Sequence, residues 1–310
     1  MQMSQLLRKN YSTVQGMYNV FTNIVRLSEF GGGMDMSVKG GKYIEVDHGV
    51  ELFVQDVGSG EPIVFLPGWT FTTEVFTNQV EYFSKTNRVI VIDPRSHGRS
   101  TTVLHGNEYV THGTDLSKVL EKLELKNVSL VGWSFGCLTI WEYIRKYGMD
   151  TIKSFIFVDM SPKPLSTDHT GDWVEGAVDD IGLAYNTYLR NPEGQRIFIT
   201  DYANQVMVQR QLGDDELNWI IEQSLKTPYY IAANLFASGM FSDYRKESKL
   251  ASESRPTMTI VAEHWADTAK VFTQRISPKS DIAVLGGHFM FWEYSKAFNQ
   301  LIGDFFNRNK

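Results

Sequence analysis

The 310-residue chain is long enough to bury a sizeable core, and its 42% hydrophobic and 21% charged residues are ordinary globular usage, which excludes a disordered or fibrous protein. A formal net charge of -6 supplies no basic stripe to neutralise a phosphate backbone, so nucleic acid is not an expected partner. Cys137 is the single cysteine, which excludes an intramolecular disulfide and a thiolate metal site and makes a reducing cytoplasm the expected setting; no apolar run reaches the roughly 18 residues of a membrane span.

In chain order, Leu6, Val14, Met17, Phe21, Ile24, Val25 and Leu27 recur at helical spacing ahead of Gly31-Gly32-Gly33. Residues 1–41 are therefore expected as an N-terminal amphipathic extension, through which a homo-oligomer could form; membrane association is not expected. From Lys42 the period changes to alternation. Tyr43–Val46 and Glu51–Val57 predict an antiparallel pair turning at His48-Gly49. Short apolar runs at Ile63–Leu66, Val89–Ile92 and Val128–Val131 are separated by helical patterns over 74–84 and 111–124, the signature of a parallel sheet buried on both faces.

Two more strands are expected at Ser154–Val158 and Thr257–Val261, with a helical stretch between them rather than a βαβ repeat. Residues 161–250 read as an inserted helical lid, and 42–160 with 251–310 as the body it covers. The insertion is rich in aromatic residues, among them Trp173, Tyr202, Trp219 and Phe236, which suits an apolar cover over a pocket. A last strand, Asp281–Leu285, leads into Gly286-Gly287-His288, and a helix over 294–306 closes the chain.

Gly132-Trp133-Ser134-Phe135-Gly136 matches G-x-S-x-G and lies between a predicted strand and a predicted helix, as that motif requires. The turn is so tight that a β-carbon two residues before or after the serine would strike backbone. Ser134 would project from a strained turn at a helix N-terminus, where developing negative charge is favoured. With Leu66-Pro67-Gly68-Trp69, the run Asp93–Ser100 and Gly287–Glu293, the chain over about 42–307 resembles the α/β-hydrolase superfamily. The fold expected from that resemblance is α/β, a mostly parallel central sheet with helices on both faces and an inserted helical lid.

The resemblance implies a serine hydrolase with Ser134 as nucleophile, His288 as general base, and the Trp69 and Phe135 N–H groups as oxyanion donors. Pro67 stands where the family usually has histidine. For the acid, Asp267 is near the commoner family position, but Ala262–Asp267 lacks the usual Gly-Asp-x-Asp pattern. The Val158-Asp159-Met160-Ser161-Pro162 run resembles members that place the acid after the sixth strand, so Asp159 is preferred, with Asp267 as alternative and Glu263 behind both. Trp133, Phe289 and Trp265 are expected to contact substrate. His97 and the remaining histidines suit turn or solvent positions, and Cys137 a buried apolar one.

The expected reaction is hydrolysis of a carboxylic ester, lactone or thioester of a mainly apolar small molecule, without cofactor or metal. Serine at the nucleophile position argues against dehalogenase and epoxide hydrolase chemistry. A cofactor-free dioxygenase, a perhydrolase, a C–C hydrolase and a hydrolase-like small-molecule receptor stay open on the sequence alone.

Overall fold

In the computed structural model of the chain, residues 38–166 and 172–310 are described, so the helix expected over 1–33 lies outside the described residues. An eight-stranded sheet forms the centre. Its strands are β1 (Gly41–Asp47), β2 (Val50–Gly58), β3 (Pro62–Leu66), β4 (Arg88–Ile92), β5 (Val128–Trp133), β6 (Ile152–Val158), β7 (Thr257–Val261) and β8 (Asp281–Val284). Their spatial order is β1-β2-β4-β3-β5-β6-β7-β8. The first two strands form a hairpin with a register shift between Glu45 and Asp47, and β2 runs antiparallel to β4. From β4 through β3, β5, β6 and β7 to β8 every pairing is parallel.

The central strands are the apolar runs read from the sequence. Every residue of β5 is buried, as is every residue of β7, because helices cover both faces. Helix 109–122 packs against helix 136–147, and helix 295–308 buries Phe298, Ile302 and Phe305 in the same core that holds Phe65, Phe76 and Phe83. Helix 77–83 begins after a single 3-10 turn, Thr73–Phe76, so the expected helix over 74–84 is split at its start.

Between β6 and β7 the chain forms helices 178–188, 192–202, 214–225, 229–240 and 245–254, with a π turn at Ala203–Met207 and a two-residue parallel ladder joining Leu165–Ser166 to Gly176–Ala177. The boundary expected at 250 falls inside the last of these helices. That helix buries Glu247, Ser248 and Ala251, and Arg145 of helix 136–147 bonds Glu247 at 3.0 Å, so it is tied to the sheet's own helical layer. Among the described residues no helix is long and apolar enough to cross a membrane.

Candidate active site

Strands β5 and β6 pair in parallel up to Trp133 opposite Val158, so both end at the same level. The next residue of each, Ser134 and Asp159, takes a left-handed backbone conformation, with φ of 52° and 50°. The Ser134 N–H donates to Val158 O at 2.8 Å, and the Asp159 N–H to Ile260 O at 2.7 Å. A non-glycine residue is held in that region only where its surroundings compel it. At Ser134 the compulsion is steric. A β-carbon on Gly132 would lie 2.8 Å from Cys137 N, one on Gly136 would overlap the Leu66 carbonyl, and one on Gly68 would sit 3.0 Å from Ser134 Cβ.

Across the top of the sheet, His288 Nδ1 lies 2.7 Å from Asp159 Oδ2, and the Ala262 N–H at the end of β7 donates to Asp159 Oδ1 at 2.8 Å. With a carboxylate facing Nδ1, that nitrogen carries the proton and Nε2 is left as an acceptor. Both side chains are buried, at 3% and 0% exposure. The His288 loop is held from three sides. Its N–H donates to Val206 O at 3.1 Å, the Phe289 N–H donates to Met207 O at 2.7 Å, and Trp133 Nε1 donates to His288 O at 2.8 Å. Gly287 is pressed so closely on the Met207 carbonyl that a β-carbon would lie 2.6 Å from its oxygen.

Ser134 and His288 line one cavity together with Trp69, Trp133 and Phe135. Among the described residues the main-chain N–H groups of Trp69 and Phe135 donate to no protein acceptor. The segment carrying Trp69 is fastened by its neighbours, which is how it dispenses with a polar side chain at position 67. Trp69 Nε1 donates to Ala232 O at 2.7 Å, and the Thr70 hydroxyl meets that of Ser224 at 2.6 Å. The Thr70 N–H donates to His97 Nε2 at 3.2 Å, while His97 Nδ1 faces Arg95 O at 2.8 Å. His97 is thus a buried neutral imidazole that accepts with one nitrogen and donates with the other; burial lowers it to about 4. The turn position expected of it holds, but a solvent position does not, and His112 is likewise buried against it with ring centres 5.8 Å apart.

Asp267 is exposed in the first turn of helix 266–276, and exposed Glu263 accepts from Gln209 Nε2 at 2.7 Å, so the carboxylate brought to His288 is Asp159. Of the three expected substrate contacts, Trp133 lines the cavity. Phe289 stacks behind it at 5.0 Å, fully buried, and Trp265 lies in the turn before helix 266–276 with its ring 4.8 Å from that of His264. Phe289 is kept from the cavity because the Trp133 indole occupies the space between it and His288, and Trp265 because it packs on the cluster of Trp173, Val261, Ala269 and Phe272. Phe198, Tyr202 and Phe236 of the insertion do face the cavity, whereas Trp173 packs on Phe272 and Trp219 stacks on Phe289 and Trp292. Burial of Cys137 pushes its thiol well above the usual range, and its Sγ–H donates to Gly132 O at 3.1 Å.

Sequence reasoning missed Glu175, a buried residue on the wall of the same cavity. Nothing in Trp173-Val174-Glu175-Gly176 marks it locally, since its placement depends on the ladder that folds this segment against Leu165–Ser166. Among the described residues no group of three or more His, Cys, Asp or Glu side chains converges to hold a metal ion.

Residues 61–220, about half of the chain, match the profile of the alpha/beta hydrolase fold family. The chain belongs to that family. It is 26% identical over 273 residues to an AB hydrolase superfamily protein, YisY, of Bacillus subtilis (strain 168), covering 86% of this chain and 99% of the relative. It is 32% identical over 134 residues to a non-heme chloroperoxidase, CPO-A1, of Kitasatospora aureofaciens, a match that spans 43% of this chain and about half (49%) of that protein. The bromoperoxidase of Bacillus anthracis superposes with a TM-score of 0.78 at 22% identity, over 86% of this chain and 99% of its own, a likeness of fold. Both the family and the mostly parallel sheet are those that the motifs around Ser134 imply.

Proposed function

We propose that this hydrolase-fold enzyme is a serine hydrolase that cleaves carboxylic esters, lactones or thioesters of small, mainly apolar molecules through an acyl-enzyme. The observation that carries this reading is the 2.7 Å pair of His288 and Asp159 on the wall of the cavity that also holds Ser134. The Ser134 oxygen attacks the carbonyl carbon, and its proton passes to His288 Nε2; the imidazolium so formed is stabilised by Asp159. The Trp69 and Phe135 amides, with no other acceptor among the described residues, receive the tetrahedral oxyanion, each such donor contributing on the order of 3 kcal/mol to the transition state. His288 returns the proton to the departing alkoxide or thiolate. Water, deprotonated by His288, then attacks acyl-Ser134 and releases the acid.

The helices between β6 and β7 act in this reading as the lid, since Phe198, Tyr202 and Phe236 give the cavity its apolar cover. Small-molecule esters are the expected partners, and the setting is cytoplasmic. A panel of p-nitrophenyl esters of graded acyl length tests the reading: wild type turns them over, and Ser134→Ala must abolish that turnover. Retention of full activity by Ser134→Ala would refute the mechanism.

A second reading, perhydrolysis, is favoured by the likeness to a bifunctional esterase/perhydrolase of Acinetobacter calcoaceticus, 29% identical over 123 residues that make up 39% of this chain and 45% of that protein. Hydrogen peroxide would replace water in attacking acyl-Ser134, giving a peracid and free serine, with no change in the protein groups. Peracid formation from a carboxylic ester and hydrogen peroxide, measured against hydrolysis of the same ester, separates the two.

A further inference from the structure

Among the described residues, Glu175 is the one acidic side chain on the wall of the cavity shared by Ser134 and His288. Its backbone is anchored, the N–H donating to Pro164 O at 2.7 Å, and only 8% of the residue is exposed. No protein group bonds or pairs with its carboxyl among the described residues. Burial raises that carboxyl to about 7, opposed by the attraction of His288 and reinforced by the repulsion of Asp159. A carboxyl kept in an apolar wall without a partner is costly unless something that enters the cavity completes it.

The surrounding walls indicate what that something is. Trp69, Trp133, Phe135, Phe198 and Phe236 give the cavity an aromatic lining, and Tyr202 stands edge-on to His288 with ring centres 5.5 Å apart. Aromatic faces attract cations as well as apolar groups, and most strongly where water is excluded. A neutral ligand would satisfy the rings but leave an ionised Glu175 desolvated. An ammonium group would satisfy both.

We propose that Glu175 makes this pocket selective for small esters carrying a positively charged ammonium group, by placing a buried carboxylate within an aromatic wall beside Ser134. The proposal rests on the reading of Ser134 as the nucleophile for its catalytic consequence, though not for binding.

The matched pair 2-(trimethylammonio)ethyl acetate and 3,3-dimethylbutyl acetate, equal in shape and differing in charge, provides the test. At about pH 8, above the value to which burial raises Glu175, wild type should favour the cationic ester by about tenfold or more in kcat/KM. Glu175→Gln should reduce that ratio by a similar factor. A wild-type ratio at or below one overturns the proposal, with or without the variant. So does an unchanged ratio in a folded Glu175→Gln protein. Calorimetric titration of the Ser134→Ala protein with choline and with 3,3-dimethylbutanol separates this inference from the mechanism. Choline should bind about tenfold or more tightly than the alcohol, and Glu175→Gln in that background should remove the difference. If Ser134→Ala keeps ester turnover, the nucleophile reading fails while the titration still decides the role of Glu175; equal binding of the two alcohols sinks the inference even if Ser134 proves to be the nucleophile.

Discussion

Asp159 and His288 meet at 2.7 Å although 129 residues separate them in the chain, and the second oxygen of Asp159 is taken by the Ala262 N–H. The carboxylate is thereby oriented from one side and bonded to the imidazole from the other. Asp159→Asn should therefore lower kcat by about 10⁴-fold, because an amide in that position favours the wrong imidazole tautomer. Asp267→Asn, at an exposed position, should leave kcat within about twofold. Steady-state kinetics of the two variants on one p-nitrophenyl ester make the comparison; an active Asp159→Asn enzyme would return the acid to Asp267 or Glu263.

Ser134→Ala should reduce kcat by about 10⁶-fold and hardly change binding of a non-hydrolysable ester analogue, since in the proposed mechanism nucleophile and base act as a unit. The rest of the cavity is left in place. Burst kinetics with wild type, absent from the variant, would mark the acyl-enzyme.

Trp69 links the proposed oxyanion amide to the insertion through its 2.7 Å bond to the Ala232 carbonyl. Trp69→Phe keeps an aromatic ring in the wall but removes that bond, and because the Ala232 carbonyl keeps its partner within helix 229–240 the cost in stability should be about 0.5–1.5 kcal/mol. As the segment loosens, kcat should fall by about tenfold. Urea unfolding and ester kinetics on the same preparation would show whether stability and rate fall together.

Glu175 provides a pH test that is independent of turnover. Its folded-state value is raised from 4.5 to about 7, so between those limits the folded protein binds more protons than the unfolded chain, and stability is lost as pH rises through that window. Glu175→Gln should therefore match wild type near pH 4.5 and exceed it above pH 7, by up to about 3 kcal/mol. Denaturant melts at both ends of the window, compared between the two proteins, cancel every other titrating group. A constant difference across the window would mean that Glu175 is solvated.

Much of this site could be read from one dimension. The G-x-S-x-G run announced Ser134 because the steric demand is local: Gly132 and Gly136 face backbone within a few residues or on the adjacent strand. His288, at the end of the last strand, followed from chain order. The apolar runs of β3 through β7 specified a parallel sheet because strands covered on both faces have no polar period. The solvent position allowed for His97 and His112 did not hold, since burial of a histidine depends on neighbours from elsewhere in the chain, here Thr70 bonded to His97 and the two rings packed on each other.

Sequence by itself determined the strand-turn-helix that carries Ser134, because the constraint at Gly132 acts between residues close along the chain, and the one at Gly136 comes from the neighbouring strand β3. The identity of the carboxylate that meets His288 was decided only by tertiary structure: β6 and β7 are neighbours in the sheet, so that the ends of both converge on Asp159, while Asp267 is carried outward on the next helix. The same holds for Glu175. A carboxyl on a short ladder has no sequence period to give it away, and it reaches the cavity only because the segment folds back over the top of the sheet.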